Sequence, residues 1–389
     1  MGDYGKEHSI IKIIEQLLHN AIVQGASDIH GEPQAHQLRL RFRIDGVLYD
    51  QSPLDELFIH NFISRIKILA HLNIAEKRIP QDGRFTFSVD NHAIDIRVST
   101  FPSVFGEKIV LRLLNRSAQM IDLNYLGFEE SMLEHFKSLL KRSSGFFLVT
   151  GPTGSGKTTT LYAALRDLNS VEKHIITLED PVEYTVEGLT QGHIHPDAGF
   201  TFEKGIRALL RQDPDIVMIG EIRDKQTAQI AIEAALTGHL VLSTLHTNDA
   251  VSALVRLIDM GIEPFLLNAA LSGVLAQRLV RRLCQQCRYP IALNDAEYNQ
   301  AERLKIGAQK LFKSLGCVDC SGRGMKGRMG IFELLEPSDR LKQLVIDRVP
   351  HHELVNQARK DGLQTLMVDG ISKAEQGLVN LGELVRVLF

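Results

Sequence analysis

The chain has few cysteines, little net charge and no long apolar run. Its 389 residues carry a net charge of −3, which gives no overall case for nucleic acid or an anionic membrane as a partner. The longest apolar candidate, residues 264–280, is interrupted by Asn268, Gln277 and Arg278, and the residues after Met1 are polar. Neither a membrane span nor a signal peptide is therefore predicted, and we expect a cytosolic globular chain of two or three domains.

The four cysteines occur only as two Cys-x-x-Cys pairs, Cys284 with Cys287 and Cys317 with Cys320. In a reducing compartment such pairs are typical of metal ligands rather than disulfides. Four thiolates fit a tetrahedral structural zinc site, which has no open position for catalysis. The 29 residues between the pairs exceed the usual ribbon spacing, so we predict a loop with a knuckle at each end. Four unrelated buried thiols are the alternative.

Basic residues surround the cysteine pairs. Such a cluster occurs at nucleic-acid interfaces, but it lacks interleaved aromatic residues here, so a partner or domain interface is preferred. The basic residues are Arg278, Arg281, Arg282, Arg288, Arg323, Lys326 and Arg328.

Residues 151–158, GPTGSGKT, fit the phosphate-binding loop pattern without a substitution. A buried strand is predicted before the loop, at 146–150, and a helix after it, at 159–169. Lys157 is predicted to reach the β and γ phosphates of ATP and Thr158 to ligate Mg²⁺. The remaining contacts near the phosphates are assigned to Gly151, Pro152, Thr153, Gly154, Ser155, Gly156 and Thr159.

Short apolar strands alternate with helices beyond residue 127, which is typical of a mostly parallel sheet covered on both faces. We place its strands at 146–150, 174–178, 215–219 and 239–244. The last three run into Glu179-Asp180-Pro181-Val182-Glu183, into Gly220-Glu221 and into Leu245-His246. Because the carboxyl ends of such strands form the ligand crevice, we expect these side chains to converge on the phosphates held by Lys157.

The first part of the chain predicts a small α+β domain. Helical patterns occupy 10–23 and 54–72, and strands are predicted at 37–49, 84–89, 93–100 and 107–114, with turns at 45–46, 80–83 and 90–92. Arg97 and Arg112 lie on separate strands, and Arg78 and Arg84 bracket the 80–83 turn. A solvated surface charge is the simpler interpretation for any one of these arginines. Four arginines near strand ends, in a domain of a chain that also carries a phosphate loop, favour an anion-binding role.

We predict three segments. Residues 1–114 form the arginine-bearing domain, 115–123 the linker, and 124–389 the phosphate-loop domain, with a zinc-binding subdomain at 284–320 and a helical carboxyl-terminal region at 331–389. Apolar residues recur at helical spacing from Asp339 onward.

The motifs together resemble the secretion ATPase superfamily. The resemblance rests on the phosphate loop, the acidic box 178–183, the run 211–224, the histidine box 238–248 and three stretches of the first domain, 26–30, 78–84 and 95–100. The chain is most similar to the type II secretion assembly ATPase, with the type IV pilus extension ATPase close behind. The cysteine pairs separate both from the pilus retraction ATPases. The fold implied is a RecA-like P-loop ATPase core of the α/β class, preceded by a small PAS-like α+β domain and carrying a zinc-binding insertion with four cysteine ligands.

The resemblance also implies roles. Glu179 is expected to orient or activate the attacking water, Glu221 to hold Mg²⁺ or its water shell, and His246 to sense the γ phosphate. Arg97 and Arg112 resemble the nucleotide-facing arginines of the family. The usual Asp-Glu pair of the acidic strand is Gly220-Glu221 here, so the choice of base among Glu179, Glu183 and Glu221 stays open. Arg207, Arg211 and Arg223 are weaker candidates for a subunit interface.

The family implies a ring-shaped homohexamer at the cytoplasmic face of the inner membrane. It would act on an inner-membrane platform protein to assemble a pilus or pseudopilus, with no nucleic acid as a partner. Members usually carry a further amino-terminal domain that docks on a membrane-anchored partner, whereas this sequence begins just before the arginine-bearing domain, as a truncated or a short member would. A nucleic-acid translocase and a nucleotide-switched scaffold are the alternatives.

Overall fold

The structure is a computed structural model that describes residues 3–89, 92–114, 122–291, 299, 301–303 and 310–389. Side chains are described from Ile10 onward, and that of His92 is not. The predicted linker residues 115–121, the turn residues 90–91 and most of 292–309 lie outside the described residues. The chain forms two compact units, Met1–Met120 and Ile121–Phe389.

The first unit is an antiparallel sheet with two helices on one face. Its strand order is β3-β2-β1-β7-β6-β5, with β4 pairing β2. Alternate strand residues such as Phe42, Ile96 and Leu111 are buried together with Ile14 and Phe62 of the helices. The elements are α1 (Asp3–Val23), β1 (Ala26–Pro33), β2 (Gln37–Ile44), β3 (Val47–Asp50), β4 (Leu54–Asp55), α2 (Glu56–Leu69), β5 (Gln81–Val89), β6 (His92–Ser103) and β7 (Gly106–Leu114).

The sequence predictions for this unit were right at residues 45–46 and wrong at 80–83. Asp45 and Gly46 have φ of 49° and 84° and form the turn between β2 and β3. Gly83 instead lies inside β5, opposite Val98. A Cβ at position 83 would lie 2.3 Å from the Ala70 carbonyl oxygen, so this glycine serves close packing against the end of α2 rather than a turn.

The second unit is a seven-stranded sheet between two layers of helices, in the order β10-β9-β11-β12-β8-β13-β16, where β13 is Leu271–Leu283 and β16 is Met325–Leu335. All neighbouring strands are parallel except β13 and β16. The elements before the long strand β13 are α3 (Glu130–Leu140), β8 (Gly145–Thr150), α4 (Lys157–Leu168), β9 (Ile175–Glu179), β10 (Thr190–His193), α5 (Phe202–Leu209), β11 (Ile216–Ile219), α6 (Lys225–Leu236), β12 (Leu240–Leu245), α7 (Ala250–Asp259) and α8 (Pro264–Ala270).

Every residue of β8 is buried, because helices cover both faces of the sheet. Phe146 and Leu148 face one helical layer, and Phe147 and Val149 face the other. The four predicted strands of this sheet are confirmed, with bounds shifted by about one residue from those predicted.

The remainder of the unit is built on two long antiparallel strands and four helices. The helices predicted after Asp339 are present, but the predicted helical region of 331–389 was wrong at 331–335, which lie in a buried strand paired with the strand at 271–283. The strand at 271–283 was not predicted either. The elements are β13 (Leu271–Leu283), β14 (Arg288–Ile291), β15 (Leu311–Ser314), β16 (Met325–Leu335), α9 (Asp339–Ile346), α10 (His351–Lys360), α11 (Leu366–Glu375) and α12 (Leu381–Leu388). Strand β13 therefore continues the sheet toward the cysteine pairs.

Candidate functional site

The phosphate loop connects the buried end of β8 to the first turn of α4. Gly156 caps α4 with φ of 88°, and Gly151 has φ of 153°, conformations that favour glycine. A side chain at Gly151 would also lie 2.5 Å from both the Gln277 carbonyl oxygen and Ser155 Oγ. Backbone N–H groups at the start of a helix are suited to bind an anion, so the loop has the geometry that a phosphate requires.

Lys157 folds back over the loop that precedes it. Its Nζ donates hydrogen bonds to the carbonyl oxygens of Gly151, at 2.8 Å, and Pro152, at 3.1 Å. Burial lowers the pKa of Lys157 to about 8, an effect that the charge of Glu221 opposes and that of Arg278 reinforces. Thr158 follows it, exposed, on the first turn of α4.

The other predicted site residues emerge at the same sheet edge. In the strand register, Thr150 lies beside Leu245, Ile219 beside Ser243, and Leu178 beside Ile219. The segments that follow these residues carry the phosphate loop, His246, Glu221 and Glu179. Thr150 Oγ1 also accepts a hydrogen bond from the backbone N–H of Thr247, at 3.0 Å, which fixes the histidine box against the end of β8.

Glu221 is the centre of a polar cluster. Its carboxylate pairs with Arg223, and His246 Nε2 lies 3.6 Å from its Oε2. Burial acts to raise the pKa of Glu221, but the hydrogen bond and charge of Arg223, together with His246, lower it overall. Arg223 Nη1 also lies 4.0 Å from Asp180 Oδ2, so the acidic box, the acidic strand and the histidine box are joined through ionisable groups.

Glu179 has a different environment, since it is 3% exposed at the end of β9. Its Oε2 accepts a hydrogen bond from the Tyr162 hydroxyl, and its Oε1 accepts from Thr177 Oγ1, at 2.5 Å, and from Gln191 Nε2, at 3.3 Å. Both carboxylate oxygens are thus bound within the protein, whereas Glu183 is exposed. Sequence reasoning missed Tyr162 and Gln191, because no motif links them to Glu179 across the intervening chain. It also missed Thr177, which lies two residues before Glu179 within the predicted strand.

Strand β13 supplies two further residues that the sequence did not single out for the site. Gln277 contacts the phosphate loop, and Arg278 contacts Asn248 of the histidine box. Position 277 could have been found only from the register, in which Ala276 lies beside Thr150.

In the first unit, Arg97 and Arg112 face each other across β6 and β7. Arg84 lies beside Arg97, and Asp28 lies between Arg112 and Arg43, so the five side chains form a row across five strands. Asp28 is 7% exposed, and its Oδ1 accepts a hydrogen bond from Arg112 Nε at 3.1 Å. Arg84 and Arg97 are exposed. This face is rich in cationic donors suited to an anionic ligand.

The four cysteine sulfurs lie within 4.8 Å of one another. Neighbouring sulfurs are 3.7 Å apart for Cys284 and Cys317, 3.7 Å for Cys317 and Cys320, and 3.9 Å for Cys287 and Cys320. A tetrahedron of thiolates about 2.3 Å from a zinc ion has edges of about 3.8 Å, so the cluster fits that ion. The backbone N–H groups of Cys317 and Gly324 both donate to Cys320 Sγ, as expected around a thiolate.

The weaker interface candidates lie near α5. Arg211 Nη1 donates to the Arg207 carbonyl oxygen at 2.6 Å, and Arg207 Nε lies 3.5 Å from Glu203 Oε1. Arg223, by contrast, belongs to the cluster around Glu221. Among the described residues, no helix combines the length and apolar character needed to cross a membrane.

The family described as "Type II/IV secretion system protein" matches residues 3–386. The chain is 48% identical over 382 residues to the type II secretion system ATPase E of Vibrio cholerae, covering 97% of this chain and 75% of that protein. It is 45% identical over 384 residues to the type IV pilus assembly ATPase PilB of Thermus thermophilus, covering 97% of this chain and 43% of that protein.

Solved structures share the fold of this chain. The crystal structure of the pilus retraction motor PilT with bound ADP has a TM-score of 0.61 at 26% identity, covering 96% of each chain. The ATPase DotB of Yersinia pseudotuberculosis shares the fold, with a TM-score of 0.69 at 20% identity over 96% of this chain and 92% of that one. With a phosphate loop, converging acids and these relatives, the chain belongs to the type II/IV secretion system ATPase family.

Proposed function

We propose that this secretion-family ATPase is a mechanical motor whose ATP hydrolysis powers the assembly of a pseudopilus or pilus. The observation that carries the proposal is the convergence of the phosphate loop, Glu221 and His246 at one sheet edge in a chain of this family. The type II secretion ATPase E and the pilus assembly ATPase PilB are the relatives whose work it would share.

Phosphoryl transfer to water depends mainly on positioning and charge stabilisation. Lys157 binds the β and γ phosphates, and the backbone N–H groups of the loop bind their oxygens. Thr158 would hold Mg²⁺, which neutralises phosphate charge when bound. This assignment is supported by the place of Thr158 on the first turn of α4.

Among the open choices for the base, we favour Glu221 over Glu179. The carboxylate of Glu221 lies 3.6 Å from His246 and pairs with Arg223. Glu179 is more deeply buried, and both of its oxygens accept hydrogen bonds from buried or half-buried donors. Glu179 then acts indirectly, by ordering the acidic box beside Arg223. The test is the pair Glu221→Gln and Glu179→Gln: the first should abolish turnover while ADP still binds, and the second should reduce it less. The opposite order would assign the base to Glu179.

Arg97 and Arg112 contribute to turnover by stabilising phosphate charge. An arginine in such a role is worth about 10³ to 10⁵ in rate. Arg97→Ala should leave nucleotide binding largely intact and cripple hydrolysis, and wild-type turnover in that variant would exclude the role. Arg65→Ala, on α2 of the same unit, is the matched control.

The finer parts of the architecture are also proposals. The first unit is a PAS-like domain, the second a RecA-like core, and the four cysteines hold a structural zinc ion. The active form is a homohexamer at the cytoplasmic face of the inner membrane, acting on a platform protein there. These statements are supported by the family and by the sulfur spacing.

The deciding experiment measures ATPase activity of the purified chain alone, with cytoplasmic domains of candidate platform proteins, and with DNA or RNA. Stimulation by a platform domain supports the motor. Stimulation by nucleic acid with a steep salt dependence would instead identify a translocase. Nucleotide binding without hydrolysis under all these conditions would identify a switched scaffold.

A further inference from the structure

Strand β13 passes directly against the phosphate loop. Ala276 lies beside Thr150, the last residue of β8, so the next residue of β13, Gln277, lies beside the start of the phosphate loop. The Gln277 carbonyl oxygen would lie 2.5 Å from a Cβ at Gly151, and its Nε2 would lie 3.2 Å from a Cβ at Gly156. Gly151 and Gly156 therefore both pack against Gln277, which is itself only 2% exposed.

The side chain of Gln277 makes one directed contact with the loop. Its Nε2 donates a hydrogen bond of 2.7 Å to the carbonyl oxygen of Ser155. Because a trans peptide is planar, its C=O and the following N–H point in opposite directions. Holding the Ser155 carbonyl toward Gln277 thus turns the N–H of Gly156 away from the strand, the orientation that an N–H needs in order to bind a phosphate oxygen.

Gln277 is also incompletely satisfied. Its Oε1 and the hydroxyl of Ser155 are buried and have no hydrogen-bond partner among the described residues. A buried amide that leaves its acceptor unpaired carries a cost that packing alone does not require. The Gln277 side chain is therefore better explained by its role as a hydrogen-bond donor than by a role in filling space.

The next residue of the strand contacts the other half of the site. Arg278, 8% exposed, donates from Nη2 to the Asn248 carbonyl oxygen at 2.7 Å and to Asn248 Oδ1 at 3.3 Å. Asn248 lies two residues after His246. Glu333, opposite Ala276 on β16, accepts a hydrogen bond of 2.8 Å from the N–H of Ala250, so both long strands hold the segment after the histidine box.

We propose that Gln277 and Arg278 are positioning residues of the nucleotide site: Gln277 orients the phosphate loop through Ser155, and Arg278 sets the histidine box relative to it through Asn248. The inference rests on the proposed ATPase function. One strand thereby fixes the distance between the group that binds the phosphates and the group that senses them.

The test compares Gln277→Met with wild type in the full chain. Methionine keeps the length and volume of the side chain but removes the donor. We expect the affinity for ADP to be about tenfold weaker and KM for ATP to rise to match, with kcat changed less. The reason is that, without the hydrogen bond from residue 277, the free loop is no longer held in the conformation that binds phosphate. Gln343→Met, an exposed glutamine on α9, is the matched control and should change none of these values.

A purely structural role predicts something else. It would lower the midpoint of thermal unfolding and the active fraction while leaving the ADP affinity and KM of the folded protein unchanged, and that result would overturn the proposal for Gln277. Unaltered affinity and stability would overturn it too. Absence of hydrolysis in the wild-type chain under every condition would refute the proposed function instead, and ADP affinity would still report on Gln277.

Arg278 is tested by a double-mutant cycle with Asn248. Arg278→Met removes both contacts with residue 248, whereas Asn248→Ala removes only the 3.3 Å contact with Oδ1 and keeps the 2.7 Å contact with the backbone carbonyl oxygen. Arg278→Met should therefore lower kcat more than Asn248→Ala does, and the double variant should be about as slow as Arg278→Met. Independent, multiplying effects would show that Arg278 does not act through Asn248.

Discussion

The pKa of Lys157 links nucleotide binding to proton uptake. Burial lowers this pKa to about 8 in the free protein, and phosphate charge raises it again in the complex. Below pH 8 the side chain is already protonated, so binding takes up little proton there. Above pH 8 a proton must be taken up, and affinity falls as pH rises. Calorimetry of ADP binding at pH 6.5 and pH 8.5, in buffers of different ionisation enthalpy, should detect uptake only at the higher pH.

Lys157→Arg provides the control for this linkage, since arginine stays charged at both pH values. Its ADP affinity should vary less between the two pH values than that of wild type. An equal variation in both proteins would assign the proton to another group.

Glu383 makes a pH-dependent contribution to stability. Although burial opposes ionisation, hydrogen bonds from Arg386 and Arg281 lower its pKa to about 2. A depressed folded pKa stabilises the fold above the unfolded pKa of about 4.3, and this stabilisation is lost as pH falls toward 2. Glu383→Gln should therefore lose about 2 kcal/mol of unfolding free energy at pH 7.

The difference between wild type and Glu383→Gln should shrink as the pH is lowered from about 4.5 toward 2. Thermal unfolding at several pH values measures it. A difference that stays constant across this range would mean that packing, rather than the charge of Glu383, is responsible.

At the scale of elements, close packing at Gly83 holds β5 against the end of α2. Gly83→Ala would place a methyl group 2.3 Å from the Ala70 carbonyl oxygen, a backbone atom that cannot turn aside. We expect a loss of about 2 kcal/mol or more, seen as a lower unfolding midpoint of the first unit. Gly382→Ala on α12, where the nearest atom is 3.8 Å away, should be neutral or stabilising. Equal effects at the two positions would refute the steric argument.

The periodic elements could be predicted from the sequence, and the contacts between them could not. Buried apolar runs such as 146–150 and helical spacing after Asp339 depend on local pattern, and both are confirmed. Strand β13 was missed because its buried residues follow one another without alternation, which does not distinguish a strand from a buried helix. Gly83 was misread because glycine is as typical of turns as of close packing.

The same distinction holds for the candidate site. Glu221 and His246 were expected to converge, because the ends of parallel strands meet at one edge, and they lie 3.6 Å apart. The hydrogen bonds from Tyr162 and Gln191 to Glu179 depend on how distant segments pack. The contact of Gln277 with Ser155 does so too. No spacing within the sequence carries that information.

At the scale of the whole molecule, the cysteine cluster closes a loop of the second unit and should stabilise it. We expect about one zinc ion per chain by metal analysis, and a lower unfolding midpoint after treatment with a strong chelator or in Cys320→Ser. Ser321→Ala, next to the cluster, should keep its metal. Metal-free wild-type protein with four freely titrating thiols would exclude the zinc site.

The arginine row of the first unit has a consequence for how that unit responds to salt. Four arginines and one aspartate stand side by side on neighbouring strands, which leaves an excess of three positive charges across the row. Strands are about 4.8 Å apart, so Arg112, Arg97 and Arg84 repel one another over a span of about 10 Å. That span is close to the screening length of about 8 Å at physiological ionic strength. An anion that bridges the row relieves this repulsion when it binds. Added salt screens the same repulsion, so that part of the anion's binding free energy is lost at high ionic strength.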